Sequence, residues 1–461
     1  MGIPIASTYL KDLYLTFNAI TVYKGLLQDT VIQRLYVLVQ CLSREDFDIH
    51  HALDLYSSFF YSLLSSGENG TASVKEYLLQ KLLFDDNFFS RTCETVDFVS
   101  LNQELISAVQ SDLFCLQHIS SVSSNQIKEV LLKYCNGDDF KTKLVSSLPS
   151  WDSSDEKKIK KVFSEPILEK FYGHPSWTEF TQDLHEFYQR NGSGIFAQFK
   201  SFLWERIHGQ GHLKGINDAD PIRLKDLIGY EAERSEVISN TLQFLKGYHA
   251  NNMLLYGDRG TGKSSTVKAV MNEYYSQGLR LIEVPKMYLS DFPEIIRLLR
   301  NRKQKFIIFV DDLVFEDNEE NYTTLKAALE GGVEAKPENV LIYATSNRRH
   351  LIKEKFSDRL GLQSGNHDDE VRSADTIQEK LSLSDRFGIT VVFSSPNKQQ
   401  YLEIVEGLLL QRGLVFDKDT VAKEALRWEL WYNGRSPRTA RQFVDWLEGQ
   451  DKLLKRVKSR E

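Results

Sequence analysis

A glycine-rich segment between an apolar run and a helical pattern carries the clearest chemistry in this chain. Its residues are Gly257-Asp258-Arg259-Gly260-Thr261-Gly262-Lys263-Ser264-Ser265. Glycines at these spacings permit positive φ, so that successive backbone N–H groups converge on phosphate oxygens. Lys263 adds a mobile positive charge, and the Ser264 hydroxyl is of a type that binds Mg²⁺. The segment therefore predicts a phosphate-binding loop at the start of a helix.

Two aspartates follow the apolar run 306–310, which predicts a buried strand. A carboxylate at such a strand end is suited to hold Mg²⁺, and a second one is suited to orient or deprotonate an attacking water. We therefore predict Asp311 as an Mg²⁺ residue and Asp312 as the catalytic base. Asn347 follows the next apolar run and is predicted to position the water.

Short apolar strands alternate with helical patterns from Asp226 onward, which is typical of a parallel α/β sheet covered by helices on both faces. These patterns predict a nucleotide-binding domain at residues 216–395. Five strands are predicted, at residues 253–256, 279–284, 306–310, 340–345 and 389–393.

Residues 396–461 predict a small helical lid. Helical periodicity is present at 398–412 and 420–432. A serine suited to an N-cap and a proline suited to the first helical position precede Arg438, which places this arginine in the first turn of a third helix. We predict that Arg438 contacts the nucleotide from the lid.

Residues 1–215 predict a mainly helical N-terminal domain, because apolar residues recur there at three- and four-residue steps. Residues 1–200 contain 18 Lys and Arg against 25 Asp and Glu, which accounts for the net charge of −7. An acidic domain disfavours a grip on a nucleic-acid backbone. The aromatic-rich stretch 163–204 is interpreted as core, and Gly209–His212 with Gly215–Pro221 as a linker.

The composition excludes several classes of protein. No apolar run approaches the roughly 18 residues that a membrane span needs, and the N-terminus has no signal pattern. We therefore expect a cytoplasmic protein with no membrane span. The four cysteines are widely spaced, without a C-x-x-C motif, and predict buried thiols rather than a zinc site or a disulfide framework.

The order of these motifs resembles that of the AAA+ ATPases over residues 216–461. The resemblance implies ATP and Mg²⁺ as cofactors. Six segments carry it: Ile228-Gly229-Tyr230 as the adenine-pocket segment, Gly257–Ser264 as Walker A, Phe306–Asp312 as Walker B, Asn347 as sensor 1, Arg386 as the arginine finger and Arg438 as sensor 2.

An arginine finger acts across a subunit boundary, so the resemblance implies a homo-oligomer. Arg348, Arg349 and Arg359 are alternative candidates for the finger. A surface ion pair between Asp385 and Arg386 is the alternative interpretation of that segment.

The chain also resembles, more narrowly, the bacterial family known as domain of unknown function 815. That family implies a P-loop ATPase without an assigned substrate. The resemblance lies in Ala250-Asn251-Asn252, Gly260–Ser265, Leu329-Glu330-Gly331-Gly332, Tyr343–His350 and Ala440-Arg441-Gln442-Phe443.

Two features depart from the pattern of many AAA+ motors. Walker B ends in Asp-Asp rather than Asp-Glu, a variant also found among replication initiators and loaders, so Glu316 is an alternative base. The segment Lys286–Asp291 has no glycine, unlike the aromatic-apolar-glycine pore loop of protein-threading members, which disfavours threading. Residues 356–377 are polar without periodicity and predict a loop near the catalytic edge.

Three functional hypotheses follow. The first is an ATP-hydrolysing motor or switch that remodels a protein client held by the N-terminal domain. The second is a DNA-associated loader or initiator, which the Asp-Asp motif and the basic tail Lys452–Arg460 favour and the acidic N-terminal domain disfavours. The third is an ATP-binding regulator with little hydrolysis.

Overall fold

The chain divides into two compact units, Met1–Gln198 and Phe199–Glu461. Their coordinates come from a computed structural model. The structure describes residues 5–66, 73–135, 137–152, 166–313, 325–326, 329, 336–347, 386–432 and 434–458.

The first unit is helical, as the sequence predicts. Its described helices are α1 (Ile5–Asn18), α2 (Thr30–Leu42), α3 (Ile49–Ser66), α4 (Val74–Leu83), α5 (Phe88–Cys93), α6 (Gln103–Ser120), α7 (Ser124–Lys133), α8 (Asp139–Ser146), α9 (Pro166–Gly173), α10 (Thr181–Asn191) and α11 (Ile195–Gln198).

Helix α2 illustrates why these segments are helical. Asp29 is its N-cap and accepts hydrogen bonds from the backbone N–H groups of Val31 and Ile32, which stabilises the first turn. Its buried residues recur at three- and four-residue steps and join the core of the unit. The aromatic-rich stretch is also core, since Trp177 and Trp204 are fully buried.

The second unit contains a sheet and its covering helices. Its strands are β1 (Ser201–Ile207), β2 (Gln210–Gly215), β3 (Met253–Gly257), β4 (Leu279–Glu283), β5 (Lys305–Val310), β6 (Val340–Ser346) and β7 (Ile389–Phe393). They form one sheet in the order β2-β1-β4-β5-β6-β3-β7. Every neighbouring pair is parallel except β1 with β2.

Within the described residues the sheet has seven strands, whereas the sequence predicts five. The five expected strands are β3 to β7, and the β1–β2 hairpin adds two more beside β4. Residues 199–215, which the sequence assigns to the N-terminal domain and linker, therefore belong with the sheet. The turn of this hairpin is His208-Gly209, with φ of 50° and 80°, which is the positive-φ geometry of a two-residue hairpin turn.

Helices cover the sheet and continue after its last strand. They are α12 (Glu231–Leu245), α13 (Lys263–Tyr274), α14 (Phe292–Leu299), α15 (Lys398–Gln411), α16 (Lys418–Trp431) and α17 (Pro437–Lys458), and a 3₁₀ segment, Lys286–Asp291, precedes α14.

Helices α12 and α13 pack on one face of the sheet. Phe244 of α12 and Val270 of α13 share a buried cluster with alternate strand residues such as Leu255 and Phe309. The intervening strand residues, such as Leu254 and Ile308, are fully buried too, as expected of a parallel sheet. Helices α15 to α17 have a core of their own around Tyr401 and Phe443.

Two further features concern the described part of the chain. None of its helices is both long enough and apolar enough to cross a membrane. All four cysteines are free thiols, of which Cys93, Cys115 and Cys135 are buried and Cys41 is partly exposed.

Candidate nucleotide-binding site

The glycine loop connects the end of β3 to the start of α13. Gly257 has φ of 143°, and a Cβ there would lie 2.0 Å from the backbone oxygen of Phe393 on β7, so only glycine fits against that neighbouring strand. Gly262 has φ of 96° and is the N-cap of α13. The loop therefore directs the N-terminus of α13 toward the site, where backbone N–H groups favour an anion.

The Lys263 ammonium lies inside this loop. It donates hydrogen bonds to the backbone oxygens of Gly257 at 2.9 Å and Asp258 at 2.7 Å, and to Asn347 Oδ1 at 3.1 Å. The residue is buried, and this burial lowers the pKa of Lys263 to about 8, because a poorly solvated site disfavours the charged form. These three acceptors are uncharged, so the charge of the ammonium is available to phosphate oxygens.

Asp311, at the end of β5, accepts hydrogen bonds from two hydroxyl groups. Ser264 Oγ is 2.6 Å and Thr345 Oγ1 is 2.5 Å from Asp311 Oδ1. A hydroxyl and a carboxylate in contact form the all-oxygen donor set that Mg²⁺ prefers when it also binds phosphates. Ser264 and Asp311 therefore fit the metal-binding roles that the sequence predicts for them.

Asp312 is held by groups from three directions. Its backbone has φ of 52°, and its N–H donates to Thr345 Oγ1 at 2.9 Å. Its Oδ1 accepts from Asn347 Nδ2 at 2.6 Å, and its Oδ2 lies 3.3 Å from Lys286 Nζ. The carboxylate is half exposed, as a group that must reach water requires.

These groups surround one cavity of about 440 Å³. The cavity brings together the phosphate loop, both aspartates, Asn347 and Arg438. Its lining is Leu227, Arg259, Gly260, Gly262, Lys263, Ser264, Ser265, Asp311, Asp312, Thr345, Asn347, Pro437, Arg438 and Arg441.

The predicted adenine segment lies beside the phosphate loop. Tyr230 has φ of 62°, stacks on Phe393 with ring centroids 5.5 Å apart and donates to the Ser394 backbone oxygen at 2.6 Å. Ile228 and Tyr230 line a cleft with Thr261 and Ile404, and its volume is only about 30 Å³. Gly229 packs against Ile404, since a Cβ there would lie 3.2 Å from it.

The two predicted arginines differ in position. The Arg438 backbone N–H donates to the Gly260 oxygen at 3.2 Å, and its side chain lines the cavity. Arg386 precedes β7 at the start of that strand, whereas Phe393 at its end pairs with Gly257. The four residue steps from Ile389 to Phe393 span about 13 Å. Arg386 therefore lies at the amino-terminal ends of the strands, whereas its own phosphate loop lies at their carboxyl ends.

Sequence reasoning did not identify Lys286, Thr345 or Arg441 as site residues. Thr345 could have been identified from the sequence, because it lies two residues before Asn347 at the end of a predicted strand; in the structure that strand end lies beside Asp311. The contact of Lys286 follows from β4 lying beside β5, an order that the sequence does not state. The alternative base and finger candidates, Glu316, Arg348, Arg349 and Arg359, lie outside the described residues, as does the loop at 356–377.

A glycine loop at the tip of a parallel strand, followed by a helix, with carboxylates at the tip of another strand of the same sheet, is the arrangement of P-loop nucleotide-binding proteins. The chain belongs to the family described as protein of unknown function (DUF815), whose model matches residues 197–451. The family resemblance inferred from the sequence is thereby confirmed.

Solved structures of RuvB from Thermotoga maritima match part of the chain. One point mutant of RuvB is 14% identical, with 51% of this chain and 67% of that chain covered and a TM-score of 0.36. The RuvB Holliday junction branch migration motor is 12% identical, with 49% and 72% covered and a TM-score of 0.30. No curated protein sequence matches the chain.

Proposed function

We propose that this chain is an AAA+ ATPase that couples Mg-ATP hydrolysis to remodelling of a macromolecular partner. The observation that carries the proposal is the contact between Ser264 and Asp311 at 2.6 Å beside the buried ammonium of Lys263. A metal-binding pair and a phosphate-binding cation thus border one cavity. Its volume of about 440 Å³ is in the range of small-molecule sites.

Each group around the cavity has a role in the proposed reaction. The backbone N–H groups of the glycine loop and Lys263 hold the phosphates. Ser264 and Asp311 hold Mg²⁺, which when bound offsets the charge that develops on the transferred phosphoryl group. Asp312 orients the attacking water and accepts its proton, while Asn347 fixes the Asp312 carboxylate and positions the water.

Helices α15 to α17 are proposed to act as a lid. The cleft at Tyr230 holds about 30 Å³, so adenine enters only when Ile404 on α15 moves away from Tyr230. Arg438 on α17 already contacts the phosphate loop through its backbone. Closure of the lid on the base would therefore also reposition Arg438 against the phosphates.

Arg386 is proposed to serve the site of a neighbouring copy, which makes the active form a homo-oligomer. Its place at the end of the strands opposite its own phosphate loop supports a role in trans, because an arginine finger acts on the site of a neighbouring subunit. We further propose a cytoplasmic location and a protein client that the acidic N-terminal unit holds.

A DNA-associated ATPase is the second candidate. It is favoured by the basic C-terminal end of α17, where Lys452 is 69% exposed. Stimulation of ATP turnover by DNA, lost at high salt, would support this candidate over a protein client.

The proposal is tested with purified full-length chain in two assays, binding of a labelled ATP analogue and release of phosphate. Lys263→Ala is expected to lose binding. Asp312→Asn is expected to bind the ATP analogue without hydrolysing ATP. Lys268→Ala is the matched control, because Lys268 lies on the same helix as Lys263 but outside the cavity.

Normal binding of the ATP analogue by Lys263→Ala would contradict the proposed site. Loss of turnover in Glu316→Gln but not in Asp312→Asn would move the base to Glu316. Negligible turnover of the unmodified chain at saturating Mg-ATP would instead indicate an ATP-binding regulator.

A further inference from the structure

The phosphate loop contains a carboxylate whose charge does not suit phosphate binding. Asp258 directly follows Gly257 in this loop, and a carboxylate that faced the phosphates would repel them. Among the described residues, however, Asp258 lines neither the cavity of about 440 Å³ nor the cleft at Tyr230. Its side chain therefore has a use outside the proposed phosphate site.

The partner of this carboxylate is Ser395. Asp258 Oδ2 accepts two hydrogen bonds from Ser395, one from the backbone N–H at 3.0 Å and one from Oγ at 2.6 Å. These hydrogen bonds lower the pKa of Asp258, because they stabilise its ionised form. Hydrogen bonds to an ionised acceptor are stronger than those between neutral groups. Two atoms of Ser395 are thus attached to the phosphate loop.

Ser395 belongs to the short segment that joins the sheet to the proposed lid. The four residues 394–397 connect the end of β7 to the start of α15, and we call them the lid connection. Pro396 is buried, and its ring fixes its own φ and favours extended backbone at Ser395. Asn397 is the N-cap of α15. Few free backbone torsions therefore separate Ser395 from the helix.

The neighbouring residue of the lid connection is also held. Tyr230 donates a hydrogen bond to the Ser394 backbone oxygen at 2.6 Å, and Ile404 on α15 lines the cleft beside Tyr230. Two successive residues of the lid connection are therefore bound to the adenine segment and to the phosphate loop. The position of α15, and with it the width of the cleft, depends on both attachments.

We propose that Asp258 is a positioning residue that attaches the lid connection to the phosphate loop and thereby sets the affinity for nucleotide. With Ser395 attached, α15 starts at a fixed place relative to the loop, so that Ile404 closes on a base whose phosphates the loop holds. Without the attachment, α15 takes up more positions and fewer molecules are ready to close. The inference rests on the proposed function, because it requires a nucleotide between the loop and the lid.

The first test removes the carboxylate. Asp258→Ala should weaken binding of a labelled ATP analogue and of labelled ADP about fivefold each, the ratio that corresponds to one hydrogen bond. KM for ATP should rise by a similar ratio, whereas kcat should change less than about twofold, because the groups that act on the γ-phosphate stay in place. A carboxylate that only repelled phosphates predicts the opposite sign, since its removal would tighten binding. Unchanged or tighter binding by folded Asp258→Ala overturns the proposal.

The second test concerns the other partner. Ser395→Ala removes one of the two donors and should weaken binding about two- to fivefold, whereas Ser395→Thr keeps the hydroxyl and should bind as the unmodified chain does. The double variant with Asp258→Ala should bind no more weakly than Asp258→Ala alone, because both changes remove the same attachment. Gln399→Ala is the matched control, since it removes an exposed hydrogen bond to Glu403 at 3.0 Å in the first turn of α15 and should leave the affinity unchanged.

Hydrogen exchange measures the attachment without nucleotide turnover. Because the Ser395 N–H donates to Asp258, its exchange should be at least about fivefold faster in Asp258→Ala. Equal exchange in the two proteins would contradict the attachment. Thermal unfolding verifies that each variant is folded.

The outcomes separate the attachment from the proposed function. Loss of binding in Lys263→Ala together with unchanged binding in Asp258→Ala overturns the attachment and leaves the ATPase proposal standing. Normal binding by Lys263→Ala removes the nucleotide site and therefore both proposals. Additive losses in the double variant overturn the link between Asp258 and Ser395.

Discussion

Raising the pH above about 8 is expected to weaken ATP binding, because Lys263 then loses its charge before the nucleotide arrives. Burial lowers the pKa of Lys263 from 10.5 to about 8. Phosphate oxygens favour the ammonium form, so the pKa of Lys263 is higher in the complex than in the free protein. A group of this kind takes up a proton on binding, and the affinity is full below the pKa of the free protein and declines above it.

The magnitude follows from that pKa. About nine in ten molecules carry the charge at pH 7, about half at pH 8 and about one in ten at pH 9, so the affinity should fall about fivefold from pH 8 to pH 9 and about tenfold for each further pH unit. The decline ends at the pKa of the complex. Phosphate groups titrate near pH 6, about two units lower, so the change above pH 8 reports on the protein.

The assay is titration with a labelled ATP analogue from about pH 6.5 to about pH 9.5, a range that spans the free pKa. Lys263→Arg should lose the pH dependence, because arginine stays charged throughout. Lys336→Gln is the matched control, since burial also lowers the pKa of Lys336 to about 8 but Lys336 is outside the cavity. A flat profile for the unmodified protein, or a retained slope in Lys263→Arg, would refute the reasoning.

Three more predictions concern the metal, the loop and the finger. Asp311→Asn should lower Mg²⁺-dependent phosphate release at least about 100-fold and change nucleotide binding less, because the metal acts mainly on the transferred group; unchanged release contradicts its role. Gly257→Ala should lower the free energy of unfolding by about 3 kcal/mol or more, because its Cβ would lie 2.0 Å from a backbone oxygen. Gly278→Ala is the control: its φ is 91° but the space around it is open, so it should lower the free energy of unfolding by only about 1 kcal/mol. Arg386→Ala should bind ATP and hydrolyse it slowly, and mixing it with Lys263→Ala should recover activity beyond the sum of the two; no recovery despite co-assembly would remove the role in trans.

The glycine loop and the strands β3 to β7 could be predicted because their signals are local. The apolar runs match β3 to β7 to within one residue at each end, and the run of glycines before Lys263 has few other uses. Ser264 and Asp311 both follow the carboxyl ends of parallel strands, β3 and β5, which puts them at the same end of the sheet with only β6 between them. Local patterns therefore predict both the glycine loop and the pair of side chains proposed to bind the metal.

The hairpin could not be predicted because its turn lacks the usual residues. His208-Gly209 is not one of the dipeptides that mark such turns, and glycines on both sides make residues 209–215 read as a linker. Phe202 and Trp204 are buried in the alternating pattern of a strand. Because they end the aromatic-rich stretch 163–204, this alternation does not stand out in the sequence. The Lys286 contact escaped for a related reason, since it depends on the order of strands in the sheet.

The hairpin also determines where the chain can be divided. The first four residues of strand β4 are buried, three of them apolar, and β1 covers the edge of β4 that faces away from β5. A fragment that begins at residue 216 would expose that edge and leave the Asp291 carboxylate without Trp204 and Arg206. Open apolar edges pair with other chains and aggregate, so such a fragment is expected to be insoluble, whereas one that begins at Phe199 keeps its edge covered.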